Sequence, residues 1–231
     1  MRLSYRDKTD VFFDLDHTLW DFERNSALAF HEVIKRLKLP FAPDTFLDFY
    51  VPINAAYWEK YSLNLVSKEE LRIGRIRDTF EQLSYQSDEY EIRLLGDNYL
   101  QEMPNHNHLF DGVLEVLEYL QDKYQLHIIT NGFNEVQDKK LKRSGIEPYF
   151  KTVTNSEIAG VSKPNPQIFN FALNAANANA AQSIMIGDNL MADVKGALAV
   201  GMDAIYYNPQ VKLNTKDYFQ ITDLIELKKL L

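Results

Sequence analysis

The stretch VFFDLDHTLW places two carboxylates, Asp14 and Asp16, directly after three apolar residues of strong strand preference. Val11, Phe12 and Phe13 read as a short strand covered on both faces of a parallel sheet, so Asp14 stands where the strand runs out and Asp16 just beyond it. Ligands of open α/β sheets bind in the crevice outside the carboxyl ends of the strands, which puts both acids at a site rather than in a core. Carboxylates this close repel unless they share a cation. Magnesium is a hard ion that takes one or two carboxylates together with a substrate phosphate. The pair therefore suits a reaction in which Asp14 attacks while metal-bound and Asp16 moves the proton. The same spacing also fits an Asx-turn with a helix cap, so the rest of the chain must decide.

Three later stretches carry residue types that would complement such a pair. In LHIITNGF, Thr130 ends a second apolar run, and Asn131 with Gly132 forms a tight turn whose backbone N–H groups can point at an anion. Asn-Gly between apolar runs is also a strong hairpin signal. Yet Glu135 and Asp138, followed by Lys139, Lys140, Lys142 and Arg143 with Gly145 closing, follow the charge order of a helix, which favours a phosphate-binding turn. Lys163, held ahead of Pro164, is a compact positive charge suited to a phosphoryl oxygen or to tempering repulsion among carboxylates, although most loop lysines are simply solvated. In SIMIGDNLMAD, Asp188 follows an apolar strand and can complete a magnesium site with Asp14, while Asp193 falls in the next helical turn on a face that can look back at the same ion. Helix capping by Asp188 and dipole complementation by Asp193 fit the same letters.

Apolar periodicity shows which elements must hold these residues in place. From Leu109 onward helices and short apolar strands alternate, with strands at 126–130, 152–154, 184–186 and 204–207, which is the pattern of a parallel sheet with crossover helices. The first strand belongs to that sheet. Between them, residues 21–103 read as helix throughout. Phe30, Val33, Ile34 and Leu37 mark one face, and Phe46, Phe49, Tyr50, Ile53 and Tyr57 a second that Pro52 should kink or break. Ile73, Ile76, Phe80 and Leu83 mark a third behind a Ser67/Glu70 capping box, and a fourth segment runs from about Ser87 to Leu100. The expected organisation is an α/β core of residues 1–20 and 104–231 with an all-helical insert at 21–103. Pro104 and the polar run 105–108 mark the joint, and the histidines in that run fit a solvated linker better than a metal tract.

Composition narrows the partners. The 231 residues are 45% apolar, enough for a real core, and contain no cysteine, so disulfides, thiolate metal sites and a cysteine nucleophile are excluded. With 25 Lys and Arg against 33 Asp and Glu, a net charge of -8 argues against a nucleic-acid surface. An anionic substrate would then need positive charge built into its site. No apolar run approaches the length of a membrane span, and the stretch MRLSYRDKTD is charged and lacks an apolar run, so a soluble, cytoplasmic protein is expected.

The four stretches, in this order and each at a strand end, resemble the haloacid-dehalogenase-like superfamily of phosphotransferases and hydrolases. The resemblance implies a Rossmann-like core with Asp14 as the phosphoryl-accepting nucleophile and Asp16 as acid, then base. It further implies Thr130, Asn131, Gly132 and Lys163 around the phosphoryl group. Magnesium would be held by Asp14, Asp188, the backbone carbonyl of Asp16 and, directly or through water, Asp193, and the helical insert would serve as the cap. The runs LWDF, TNGFNEVQDKKLKRSGI and SEIAGVSKPNPQIFNFAL, with Leu71-Arg72-Ile73-Gly74-Arg75, resemble more closely the bacterial pyrimidine 5'-nucleotidases. That implies a small phosphomonoester, a nucleotide above all, as partner of a monomer or homodimer. Arg72 and Arg75 are candidate substrate contacts, and Trp58, with Tyr57 or Tyr61, a candidate ring-stacking residue.

Overall fold

In the computed structural model, which describes residues 5, 7–210 and 218–231, the six strands are β1 (Asp10–Phe13), β2 (Gln125–Thr130), β3 (Phe150–Asn155), β4 (Ser183–Gly187), β5 (Asp203–Tyr207) and β6 (Phe219–Ile221). They form one all-parallel sheet in the order β3-β2-β1-β4-β5-β6. β1 is buried at every position, as is β4, because the helices between strands cover the sheet; this is why both read as unbroken apolar runs. Phe12 projects with Ile129 and Met185 into a cluster with Ile168 and Phe169, residues of a helix that Pro166 opens. The sheet winds outward from β1 in both directions. The carboxyl ends of β1, β2 and β4 therefore meet at the switch point where such folds bind ligands. The short β6 adds an edge strand beyond those expected from the sequence. Among the described residues, no helix is long and apolar enough to cross a membrane.

A buried polar chain crosses three of these strands. His127 is 1% exposed and stacks on Phe12 at 4.6 Å; its Nδ1 lies 2.8 Å from Thr152 Oγ1 and its Nε2 3.1 Å from Asp10 Oδ1. Burial pushes the imidazole below its ordinary value of 6.5, against the upward pull of the hydrogen bond to Asp10. The unfolded chain takes up a proton as pH falls through 6.5 while the folded chain resists it, so this contribution to stability is complete above that pH and lost below it. Urea denaturation at about pH 7.5 and about pH 5.5 should show a larger loss for the wild type than for His127→Gln. Equal losses in the two proteins would mean that the ring is not held neutral.

Within the described residues the chain divides into two compact units, Met1–Phe22 with His108–Leu231, and Glu23–Asn107. The second unit holds α1 (Phe22–Leu37) from its second residue onward, α2 (Pro43–Ser62), α3 (Lys68–Gln82) and α4 (Glu89–Glu102). Its interior is aromatic, with Phe30 stacked on Tyr99 at 4.0 Å and edge-on to Tyr50 at 4.5 Å. The expected break at Pro52 does not occur, and α2 runs through it. Pro52 and Asp48 are both exposed, so the carbonyl that proline leaves unbonded can face water, while Phe46, Tyr50, Asn54 and Tyr57 hold the inner face. The Ser67 hydroxyl caps α3 by accepting the Glu70 N–H, but the Glu70 carboxylate pairs with Arg77 instead of closing the box. The complete box belongs to α4, between Asp88 and Glu91.

Candidate active site

The end of β1 is pinned to β4 by the Asp14 N–H, which donates to Ile186 O at 2.9 Å. The chain then doubles back at once. Leu19 and Trp20 both donate to Leu15 O, at 2.9 and 2.8 Å, and His17 adopts the left-handed region with φ 63 to make the bend. Thr18 is thereby buried with its hydroxyl donating to Asp188 Oδ1 at 3.0 Å. Asp193 comes from a π-helical turn, Leu190–Lys195, capped by Asn189. A Cβ on Gly187 would come within 2.3 Å of Asp193 Oδ2, so only glycine lets that carboxylate lie against the end of β4. Asp14, Asp188 and Asp193 each bring an oxygen within 4.8 Å of the others.

Lys163 closes this cluster. Its Nζ donates to Asp14 Oδ1 at 2.7 Å, Asp193 Oδ1 at 2.6 Å and Ile129 O at 2.7 Å, using all three ammonium protons in a setting only 2% exposed. The loop is held by Asn131, whose Oδ1 accepts the Lys163 N–H at 2.7 Å and whose Nδ2 donates to Lys163 O at 3.1 Å. The Asn131 side chain is therefore committed to positioning the lysine.

Charge is crowded here. Burial above all drives the Asp14 carboxyl well above its ordinary range; Lys163 opposes that shift, and the Asp193 and Asp188 carboxylates add to it. Asp188 is pushed up to about 7 by burial and by Asp193, with the Thr18 hydrogen bond pulling the other way. Burial alone would lower the Lys163 ammonium, yet Asp14 and Asp193 together carry it above its usual value. Three carboxylates facing one ammonium form a hard-oxygen donor set with surplus negative charge, which suits a small divalent cation.

Asp16 does not join that cluster through its side chain. Its Oδ1 accepts from Lys140 Nζ at 2.5 Å and its Oδ2 from Gln137 Nε2 at 2.8 Å, both residues of α6 (Asn134–Arg143), the second of two helices, with α5 (Val113–Gln121), that flank β2 in the chain. The expected neighbours of Asp16 were carboxylates; the structure gives it an ammonium and an amide. Lys140 is only 2% exposed and sits over the Trp20 ring at 4.2 Å, so it is no surface charge at a helix end. Thr130 Oγ1 accepts from Gln137 Nε2 at 2.7 Å and from the Gly132 N–H at 3.1 Å. The turn at 131–132 leads into α6, not into a hairpin.

The profile of the haloacid dehalogenase-like hydrolases matches residues 11–201, a span that holds every residue of this cluster. The chain is a haloacid dehalogenase-like hydrolase. Its similarity to the solved structure of YfnB from Bacillus subtilis, described as a HAD-hydrolase bound to magnesium, reaches a TM-score of 0.87 at 29% identity, covering 96% of this chain and 97% of that one. It is 32% identical over 201 residues to the pyrimidine 5'-nucleotidase PynA of Streptococcus pneumoniae, covering 86% of this chain and 83% of the relative. With the pyrimidine 5'-nucleotidase YjjG of Escherichia coli the identity is 27% over 225 residues, or 96% of each chain.

In this hydrolase the substrate-contact candidates of the helical unit have varied surroundings. Arg72 pairs with Asp97 at 2.8 Å on the rim of a cleft of about 420 Å³ that Lys68, Glu69 and Arg93 also line. Trp58 is half-buried, edge-on to Tyr61 at 5.8 Å. Arg75, 3% exposed, donates to Asn54 Oδ1 at 2.6 Å with its guanidinium over Tyr50 and Tyr99. Three residues that touch the site escape the sequence reading: Thr18, Gln137 and Lys140. The signal for the last two lies in α6, where Val136, Gln137, Lys140 and Leu141 share one inward stripe at helical spacing.

Proposed function

We propose that this hydrolase is a magnesium-dependent phosphomonoesterase that works through an aspartyl phosphate and acts on nucleoside 5'-monophosphates, pyrimidine nucleotides first. The observation that carries it is the arrangement of Asp14: a buried carboxylate at a strand end, paired with Lys163 and flanked by Asp188 and Asp193. A second acid two residues on, outside that cluster and engaged by α6, completes it. The pyrimidine 5'-nucleotidases PynA and YjjG support the substrate class.

In this reading Asp14 attacks phosphorus in line while Asp16 protonates the leaving oxygen, and Asp16 then takes a proton from the water that hydrolyses the aspartyl phosphate. Lys163 and Thr130 bind phosphoryl oxygens and stabilise the charge that spreads over them. Asp14 and Asp188, with the Asp16 carbonyl, would hold magnesium, which when bound supplies Lewis acidity at the phosphoryl oxygens. Asp193, whose oxygens accept from Lys163 Nζ and the Asn189 N–H, would steady the lysine and support the metal directly or through water. Dehalogenation is disfavoured, since it requires neither a phosphoryl ligand set nor a second acid at Asp16.

Phosphate release from uridine and deoxyuridine monophosphates, a hexose monophosphate, an acylneuraminate phosphate and phosphoglycolate, with magnesium or with chelator, tests the proposal. Fastest release from a pyrimidine nucleotide, lost on chelation, is expected. Fastest release from a sugar phosphate would move the substrate class, and an isomeric phosphate in place of free phosphate would identify a mutase. No magnesium-dependent release from any monophosphate would overturn the reading.

A further inference from the structure

One side-chain amide joins two parts of this site. Gln137 is 1% exposed, and its Nε2 donates both to Asp16 Oδ2 at 2.8 Å and to Thr130 Oγ1 at 2.7 Å. The Gly132 N–H donates to the same hydroxyl oxygen at 3.1 Å. A hydroxyl oxygen has two lone pairs, and both are now filled, so the Thr130 O–H can act only as a donor. The orientation of the amide is fixed by its partners. Turned over, Gln137 Oε1 would face the ionised Asp16 carboxylate, acceptor against acceptor; in the observed orientation Oε1 is buried and has no hydrogen-bond partner among the described residues. One helical turn further along, Lys140 Nζ takes the other Asp16 oxygen at 2.5 Å, so α6 presents donors from positions i and i+3 to the two oxygens of one carboxylate.

The room for this amide is made by a missing side chain. A Cβ at Gly132 would lie 2.2 Å from Gln137 Nε2 and 2.4 Å from its Cδ, well inside contact distance.

We propose that Gln137 is a positioning residue for phosphoryl transfer, holding Asp16 in line with the leaving oxygen and leaving the Thr130 hydroxyl as a donor to the phosphoryl group, and that Gly132 is glycine to admit it. The proposal rests on the phosphomonoesterase reading. Sequence reasoning gives Gly132 a role through its backbone N–H; here the absence of its Cβ matters as much. Losing the amide would free Asp16 to swing about its remaining bond to Lys140. Proton delivery would suffer most where the leaving group needs it most.

The test compares kcat/KM for p-nitrophenyl phosphate, whose leaving group departs with little help, with that for the alkyl phosphomonoester the wild type hydrolyses fastest. Gln137→Met keeps the length of the side chain and removes the amide; Gly132→Ala keeps the amide and displaces it. Each should lower kcat/KM for the alkyl ester by about 10- to 100-fold. The loss for the nitrophenyl ester should be smaller by about tenfold, a difference that partial unfolding, which removes active enzyme equally for both substrates, would not produce. The double variant should be no worse than the poorer single one, because both act through the same amide. Equal losses on the two esters, or alkyl activity within about twofold of wild type in Gln137→Met, would overturn the positioning role. Losses that multiply in the double variant would overturn the account of Gly132. A wild type inactive on both esters would remove the reading on which the proposal stands.

Discussion

Asp14→Asn should lower phosphate release by at least about 10,000-fold while the protein stays folded, because a neutral amide cannot accept the phosphoryl group and no other carboxylate takes its place. Asp188 is tied to Thr18, Asp193 to Lys163 and Asn189, and Asp16 to Lys140 and Gln137. The fold should not suffer. Asparagine has the same shape, its carbonyl can accept from Lys163 Nζ where Asp14 Oδ1 now does, and Lys163 keeps Asp193 and Ile129 O. Burial raises the Asp14 carboxyl, so the ionised form at neutral pH is held at the expense of stability; removing the charge relieves a repulsion that Asp193 and Asp188 sharpen. A melting temperature equal to or above that of the wild type, measured without magnesium, is therefore expected alongside the lost activity, the usual trade between stability and a strained site. Turnover within about tenfold of wild type would show that the attacking group is not Asp14.

The strand ends were legible because two physical demands coincide there. Strands covered on both faces must be apolar, and a carboxylate placed directly after such a run has nowhere to go but the crevice beyond the sheet, so Asp14 and Asp188 are marked by their neighbours. Lys163 was visible only through its company, since nothing in VSKP distinguishes a lysine with three buried acceptors from a solvated one. Gln137 and Lys140 were hidden for a different reason. The segment NEVQDKKLKR is so polar that its charge order marks a helix without marking its buried face, and two of the four residues on its inward stripe, Gln137 and Lys140, are polar as well, because they face the Asp16 carboxylate. Arg75 shows the same effect in the helical unit, where a buried guanidinium shares with Ile76 and Phe80 an interior that periodicity assigns to Ile73, Ile76, Phe80 and Leu83. Polar residues on inward positions, usually set aside as noise in an amphipathic pattern, were here the missing part of the site.

Asp16→Asn should separate the two proton transfers assigned to that residue. Both oxygens of Asp16 accept, one from Lys140 and one from Gln137, so an asparagine must turn its NH2 toward one of two donors and can neither give nor take the proton. With a nucleoside monophosphate the leaving alkoxide needs protonation as the bond breaks, and turnover should fall by about 100- to 10,000-fold at the first step. With p-nitrophenyl phosphate the leaving phenolate needs almost none, so Asp14 is still esterified at close to its normal rate, and the missing base is felt only when water must attack the aspartyl phosphate. Rapid mixing should then show a burst of nitrophenolate close to one equivalent per enzyme, followed by slow turnover, with labelled phosphate retained on the protein. The wild type should show no such burst. Equal retardation of both substrates with no burst would mean that Asp16 only orders the site, and full turnover on the nucleotide would remove it from the chemistry altogether. The burst is the sharper outcome, because a nucleophile at Asp14 and a separate base two residues away are both required to produce it.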